Sequence, residues 1–237
     1  MTQKAVILLS GGLDSSTVLY QAQADGYDCY TLSFDYQQRH RRELDAARQI
    51  AEAAGVKEQQ VVRFDLGLWG GSALTDHTLD VPRDRAPQDM ADNIPITYVP
   101  ARNSIFLSFA LAYAEALSAE CVYLGVNALD YSGYPDCRPD YIQAMQQVFQ
   151  LGTKQGREGN PITIKTPLIY LKKTEIIQLG NQLHVPWEKT WSCYQGEAEA
   201  CGVCDSCQLR LKAFQDLGLT DPLPYRVRTN HEPNQRD

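Results

Sequence analysis

A short apolar run, Ala5–Leu9, passes directly into Ser10-Gly11-Gly12 and then into a helix-compatible stretch, Ser15–Ala24, with Gly26 beyond it as a stop signal. An apolar run of this length reads as a strand buried on both faces. A strand that turns straight into a helix commits the chain to a crossover, so that the next strand is added parallel to the first. The same rhythm recurs. Cys29–Phe34 is a second strand, and Arg41–Ala54 is a helix with Leu44, Ala47, Ile50, Ala51 and Ala54 on one stripe, closed by Gly55. Val61–Phe64 is a third strand. Asn103 caps an apolar helix running to about Leu117, and Cys121–Val126 is a fourth strand. Pro139 stands in the first turn of a helix to about Phe149, where proline is tolerated. Ile162–Lys165 is a fifth strand, and Lys172–Leu183 is a helix. Regular alternation of this kind predicts an α/β fold, a doubly wound and mostly parallel sheet covered on both faces.

Three stretches break the rhythm. Residues 68–95 are rich in Gly, Asp, Pro and Thr, and a loop this long is either disordered or functional, for example a lid. Residues 186–220 carry a cysteine cluster and a short helix from about Gln208 to Leu217, a small segment packed on the α/β domain of residues 1–185. Residues 221–237 are polar and proline-rich, a tail expected to lack order unless a partner pins it.

The first turn is suited to an anion. Gly11 and Gly12 permit close backbone approach, and the amides that follow lie at a helix N-terminus. Ser10, Ser15 and Ser16 add hydroxyl donors. The spacing is neither the Gly-x4-Gly-Lys-Ser/Thr of a lysine-bearing phosphate loop nor the Gly-x-Gly-x-x-Gly of a dinucleotide site. A tight strand-to-helix turn with no ligand is the alternative that spacing leaves open.

Of the 237 residues 43% are hydrophobic and 22% charged, the balance of a packed core. No apolar run approaches the ~20 residues that span a bilayer, and Ala5–Leu9 falls short of the ~7–15-residue core of a signal peptide. A cytoplasmic chain with no membrane partner is expected. The net charge of −7 argues against a grip on a nucleic-acid backbone. The run Arg39-His40-Arg41-Arg42 is the exception and reads as a solvated helix face.

Seven cysteines are present, and Cys193, Cys201, Cys204 and Cys207 fall within fifteen residues. Cys29 and Cys121 sit in strand-like runs as small buried hydrophobes. Without an export signal, the cluster points to metal or redox chemistry rather than disulfides. Four thiolates suit one structural Zn2+, with Gly196 and Gly202 allowing the turns. An iron–sulfur cluster is the second reading, although such runs usually continue with proline and Gln208 follows here. The four histidines, His40, His77, His184 and His231, show no ligand spacing.

"GVNALDYSGYPDCRPDY", residues 125–141, leaves the carboxyl end of a strand, where ligands bind in open parallel sheets. Asp130, Tyr131, Tyr134, Asp136 and Arg138 make it polar and aromatic. It is either a surface turn fixed by Gly133 and Pro135 or a pocket for a planar polar base.

Ser10-Gly11-Gly12-Leu13-Asp14-Ser15 resembles the SGGxDS loop of the PP-loop ATP pyrophosphatases, whose fold is adenine nucleotide alpha hydrolase-like. More of the chain, FDYQQRH (34–40), VPARN (99–103), SGYPDC within 132–137, TPLIYLKKTE (166–175) and SCYQGEAEACGVCDSC (192–207), is similar to the 7-cyano-7-deazaguanine synthase family of queuosine biosynthesis. Gln37 departs from it, since many relatives carry glycine there.

The resemblance implies a ligase that converts 7-carboxy-7-deazaguanine and ammonia to the nitrile, with ATP cleaved to AMP and diphosphate. It implies that Leu9, Ser10, Gly11, Gly12, Leu13, Asp14, Ser15, Ser16 and Asp35 bind ATP, with Asp14 helping to hold Mg2+ or orient phosphates. Arg102 and Lys173 neutralise charge in the transition state, and Asp130, Tyr131, Tyr134, Asp136 and Arg138 hold the base. Cys193, Cys201, Cys204 and Cys207 hold Zn2+, and the chain forms a homodimer. A tRNA-modifying PP-loop enzyme and a nucleotide-sensing zinc-ribbon module are the competing readings.

Overall fold

The computed structural model describes residues 2–39, 42–84, 94–129, 134–195 and 198–226. Five parallel strands, β1 (Lys4–Leu8), β2 (Asp28–Asp35), β3 (Glu58–Arg63), β4 (Cys121–Tyr123) and β5 (Thr163–Lys165), form one sheet in the order β3-β2-β1-β4-β5. The order reverses between β1 and β4, and the crevice at that point is where open α/β sheets take ligands. The helices are α1 (Leu13–Ala24), α2 (Arg42–Ala54), α3 (Arg102–Leu117), α4 (Pro139–Gly152), α5 (Lys154–Arg157), α6 (Lys173–Gln182) and α7 (Asp205–Asp216).

The expected double winding is present. Along β1, Val6 and Leu8 join a core with Leu107 of α3 and Phe149 of α4, whereas Ala5 and Ile7 join one with Val18 of α1, Ile50 of α2 and Ile176 of α6. Both faces of β1 are dry, so its sequence reads as an unbroken apolar run. Each such fully buried aliphatic side chain contributes about 1.5–3 kcal/mol.

Several boundaries differ from expectation. β3 begins at Glu58, three residues early, because Glu58-Gln59-Gln60 pair with β2 at a sheet edge where polar side chains stay wet. Asn103 does not cap α3. The helix starts at Arg102 after a left-handed Ala101, φ 53°, and the Asn103 amide is capped from a distance by Asp136, Oδ2 at 3.0 Å. α7 starts at Asp205, so Cys207 lies in its first turn.

The described part of 68–95 is not a free lid. Ser72 and Ala73 are fully buried, Ala73 N–H donates to the Ile96 carbonyl at 2.9 Å, and Arg83 bridges to Cys204. The residues expected as a tail are tied down as far as Arg226. Asp221 and Leu223 are buried, and Ala200 pairs with Pro224 and Arg226 through backbone hydrogen bonds of 2.9 Å. The anchor is an ion pair between Arg210 and Asp221, both buried, which no local pattern in the sequence announces.

Candidate active site and metal centre

The loop from Leu9 to Gly12 and the chain after β4 flank the reversal of strand order, and a cavity opens between them. Gly11 carries φ +81°, and a Cβ there would stand 2.4 Å from the Ala47 amide nitrogen, so α2 docks directly on the loop. Gly125 lets the end of β4 approach the first turn of α1, where a Cβ would meet the Ser15 amide nitrogen at 3.1 Å. Inside the loop, Ser10 Oγ and Ser15 Oγ are 3.0 Å apart, and Ser16 Oγ donates to the Gly12 carbonyl at 2.8 Å. These bonds use the serines to shape the turn. The amides of Gly11, Leu13, Asp14 and Ser15 have no acceptor among the described residues. Unpaired amides at a helix N-terminus form an anion site.

Asp14 faces the cavity and is chelated by Lys173, whose Nζ lies 2.8 and 2.9 Å from its two carboxylate oxygens. A capping box presents Lys173: the Lys172 amide donates to Glu175 at 2.6 Å and fixes the start of α6. The pair places one cation and one hard oxygen donor beside the loop.

Arg102, Tyr36, Phe106, Tyr134 and Trp191 line the same cavity. The Arg102 Nε is buried and has no hydrogen-bond partner among the described residues. Burial works against its charge, and Tyr36, Tyr134, Cys137 and Asp136 more than offset that, so it stays a cation. Beside it Glu43, from the first turn of α2, also lines the cavity. Burial pushes the Glu43 carboxyl up to about 7, with Arg102 pulling down and Cys193 pushing up. Glu43 was not singled out from the sequence. It stands three, four, seven and eight residues before the buried Ala46, Ala47, Ile50 and Ala51, so it lies on the buried face of α2, and an acid in step with that stripe is the signal that could have found it.

The other expected residues divide. Leu9, Ser10, Gly12, Leu13, Asp14 and Ser15 line the cavity with Arg102, Lys173 and Tyr134. Ser16 is fully buried behind the loop. Asp35 alternates away from Phe34 and Tyr36, which do line the cavity, and faces Arg63 at 3.8 Å. Asp136 is buried as the distant cap of α3. Arg138 is exposed, 3.5 Å from Asp140, and is not among the lining residues. Asp130 and Tyr131 lie outside the described residues. Of the basic run, Arg39 donates to the Asp76 carbonyl at 2.8 Å and Arg42 stacks on Trp191 at 4.4 Å, so neither is a simply solvated side chain.

Cys193, Cys201, Cys204 and Cys207 are all buried, and their sulfurs lie within 4.8 Å of one another. A tetrahedral ion with ~2.3 Å bonds to sulfur would set them about 3.8 Å apart. The Gln195 and Cys201 amides donate to the Cys193 sulfur at 3.3 Å, and the Val203 and Cys204 amides to the Cys201 sulfur at 3.4 and 3.3 Å. Gly202 supplies the turn with φ +78°. Four buried sulfurs this close, already solvated by amides, fit one cation at their centre. The centre is joined to the loop. Arg210, on the helix that begins beside Cys204, holds Thr190 and Ser192 at 2.7 and 3.3 Å, and the Trp191 amide between them donates to the Gly11 carbonyl at 2.8 Å.

The sequence profile described as "Queuosine biosynthesis protein QueC" matches residues 4–218. The chain belongs to this family. A QueC relative in Nostoc sp., 7-cyano-7-deazaguanine synthase, is 73% identical over 94% of this chain and 97% of its own length. A protein of the same name in Trichormus variabilis is 74% identical over 94% and 98%. A solved structure of NMN synthetase from Francisella tularensis has 15% identity and a TM-score of 0.48, covering 92% of this chain and 74% of that one. Among the described residues of this QueC chain no helix is long and apolar enough to cross a membrane.

Proposed function

We propose that the chain is a cytoplasmic ligase that converts 7-carboxy-7-deazaguanine and ammonia to 7-cyano-7-deazaguanine at the expense of two ATP. The observation that carries this reading is one cavity lined both by the loop with its unpaired amides and by Arg102 among aromatic rings. That combination suits a nucleotide together with a planar, carboxylated base.

In the first half-reaction a carboxylate oxygen attacks the α-phosphorus, the bond to the bridging oxygen breaks, and diphosphate leaves. The unpaired amides of Gly11, Leu13, Asp14 and Ser15 face the charge that collects on the leaving group, an effect usually among the largest in catalysis. Lys173, oriented by Asp14, adds a full positive charge. Ammonia then attacks the acyl carbon, AMP leaves, and nitrogen loses a proton to give the amide. In the second half-reaction the amide oxygen attacks a second α-phosphorus. Loss of AMP and of the remaining N–H protons leaves the nitrile. No electrons are transferred, and atoms balance with two AMP and two diphosphates.

Mg2+ would offset phosphate charge, and Asp14 is the hard oxygen donor nearest the loop. Cys193, Cys201, Cys204 and Cys207 would hold Zn2+ in a closed site with no open position, which makes it structural. Sulfurs this tightly grouped suit a single ion better than a multi-iron cluster. A homodimer is the expected assembly.

The test is the mass of the product formed from ATP, ammonium and the carboxylated base. Nitrile is expected, with two AMP per turnover. No AMP release from the free base would overturn the reading. Asp14→Ala should lower kcat by at least ~10²-fold, on the scale of losing one charge-stabilising group.

A further inference from the structure

We infer that Glu43, with Arg102 beside it, reads the donor–acceptor edge of the deazaguanine. This inference rests on the function proposed above and names the residue that selects its substrate. Three observations carry it. First, Asp136, one of the two aspartates expected to do this, is occupied elsewhere, as the distant cap of α3. Second, only Asp14 and Glu43 are carboxylates among the described lining residues, and Asp14 is already chelated by Lys173. Glu43 has no ion-pair or hydrogen-bond partner closing it off among the described residues, and Arg102 is its nearest compensating charge. Third, Arg102 offers a buried Nε–H with no acceptor among the described residues.

The chemistry is complementary. A guanine-like base presents a carbonyl oxygen, a ring N–H and an exocyclic amino group in a row. A carboxylate accepts from the two nitrogens in parallel, and a guanidinium donates to the oxygen. Adenine presents one donor and one ring acceptor on the matching edge, and the ring acceptor would repel the carboxylate. Glu43 therefore also keeps the nucleotide's own base from the place beside it. Tyr36, Phe106, Tyr134 and Trp191 supply flat apolar walls for the ring.

The experiment compares the carboxylated base with its analogue lacking the exocyclic amino group, in the wild type and in Glu43→Gln. The wild type should disfavour the analogue in kcat/KM by roughly 10²-fold, the scale of hydrogen bonds to a charged group left unmade. Glu43→Gln should raise KM for the full base by a similar factor, leave KM for ATP unchanged, and reduce the discrimination to a few-fold. Discrimination that survives in Glu43→Gln, a wild type indifferent to the amino group, or a rise in KM for ATP instead would each overturn the assignment. The analogue arm in the wild type needs no variant to fold. A wild type that forms no nitrile from either base refutes the proposed function itself, whereas nitrile formation with an indifferent Glu43→Gln refutes only the role of Glu43.

Discussion

Replacing Arg210 by methionine should destabilise the protein far more than removing a surface cation. The guanidinium is 2% exposed and holds Asp221, 1% exposed, through Nε–Oδ2 at 2.7 Å and Nη2–Oδ1 at 3.0 Å. It also reaches Thr190 at 2.7 Å and the Trp187 carbonyl at 3.3 Å. Methionine fills most of the volume but leaves the Asp221 carboxylate buried with, among the described residues, the Tyr225 hydroxyl and the Leu223 amide as its donors. Stranding one member of a buried pair costs about 3–5 kcal/mol. At roughly 2–4 °C per kcal/mol for a chain of this size, Tm should fall by roughly 6–20 °C. The companion variant Arg210→Met/Asp221→Leu should recover much of the loss, because apolar replacement of both partners is often close to neutral. Both variants should raise KM for ATP, since the Thr190–Ser192 segment loses its anchor. Thermal unfolding of the metal-loaded proteins by circular dichroism reads the first two effects. A fall of less than ~2 °C in the single variant, or a double variant no more stable than the single, would refute the reasoning.

Other consequences are as direct. Gln37 is exposed and held at φ 64°, a left-handed conformation that costs a non-glycine residue about 1–2 kcal/mol. Gln37→Gly should therefore raise stability by roughly 0.5–1 kcal/mol after the entropy cost of glycine, and no change in Tm would contradict this. Metal removal by a chelator should make Cys193, Cys201, Cys204 and Cys207 reactive to alkylation at pH 7.5. Cys29 and Cys137, with thiols pushed by burial up to about 12, and Cys121, pushed up to about 11, should stay unmodified while the fold persists. Mass mapping of the labelled sites decides it. Because burial raises Glu43 from its ordinary 4.5 to about 7, the folded state binds more protons than the unfolded chain between these values. Stability is then lost as pH rises through that window. Glu43→Gln should match the wild type near pH 4.5 and exceed it by roughly 1–3 kcal/mol above pH 7, a difference that denaturant titration at two pH values measures.

The sheet was legible because β1 is dry on both faces, which leaves Ala5–Leu9 an unbroken apolar run, while Cys29–Phe34 keeps strand-like residues around the buried Thr31 and Ser33. The edge strand was read short because Glu58-Gln59-Gln60 satisfy the backbone ladder without burying a side chain. The glycine loop and the cysteine set were found because each needs a particular residue type at close spacing. Local spacing puts Glu43 in step with the buried stripe of its helix but could not reveal what it meets there, nor what Arg210 and Asp221 do. Their roles come from partners 59, 20 and 11 residues away, Arg102, Thr190 and Arg210 respectively. Asp136 misled for the same reason, since its partner is the amide of Asn103 on another element. Gln37 was marked as a departure from the family pattern, and its left-handed backbone explains why glycine suits that place.

The hydrogen bond from the Trp191 amide to the Gly11 carbonyl has a bearing on how the protein is made. At about 5–20 residues per second, the ribosome finishes the clamp roughly 10–40 s after the loop. Through that interval a growing chain displays a phosphate loop whose carbonyl is unmet and whose flanking segment has no Arg210 to hold it. Completion of the loop's surroundings is thus among the last steps of synthesis. It waits on the segment that carries the four cysteines, and a chain interrupted before residue 210 lacks the side chain that holds the clamp in place.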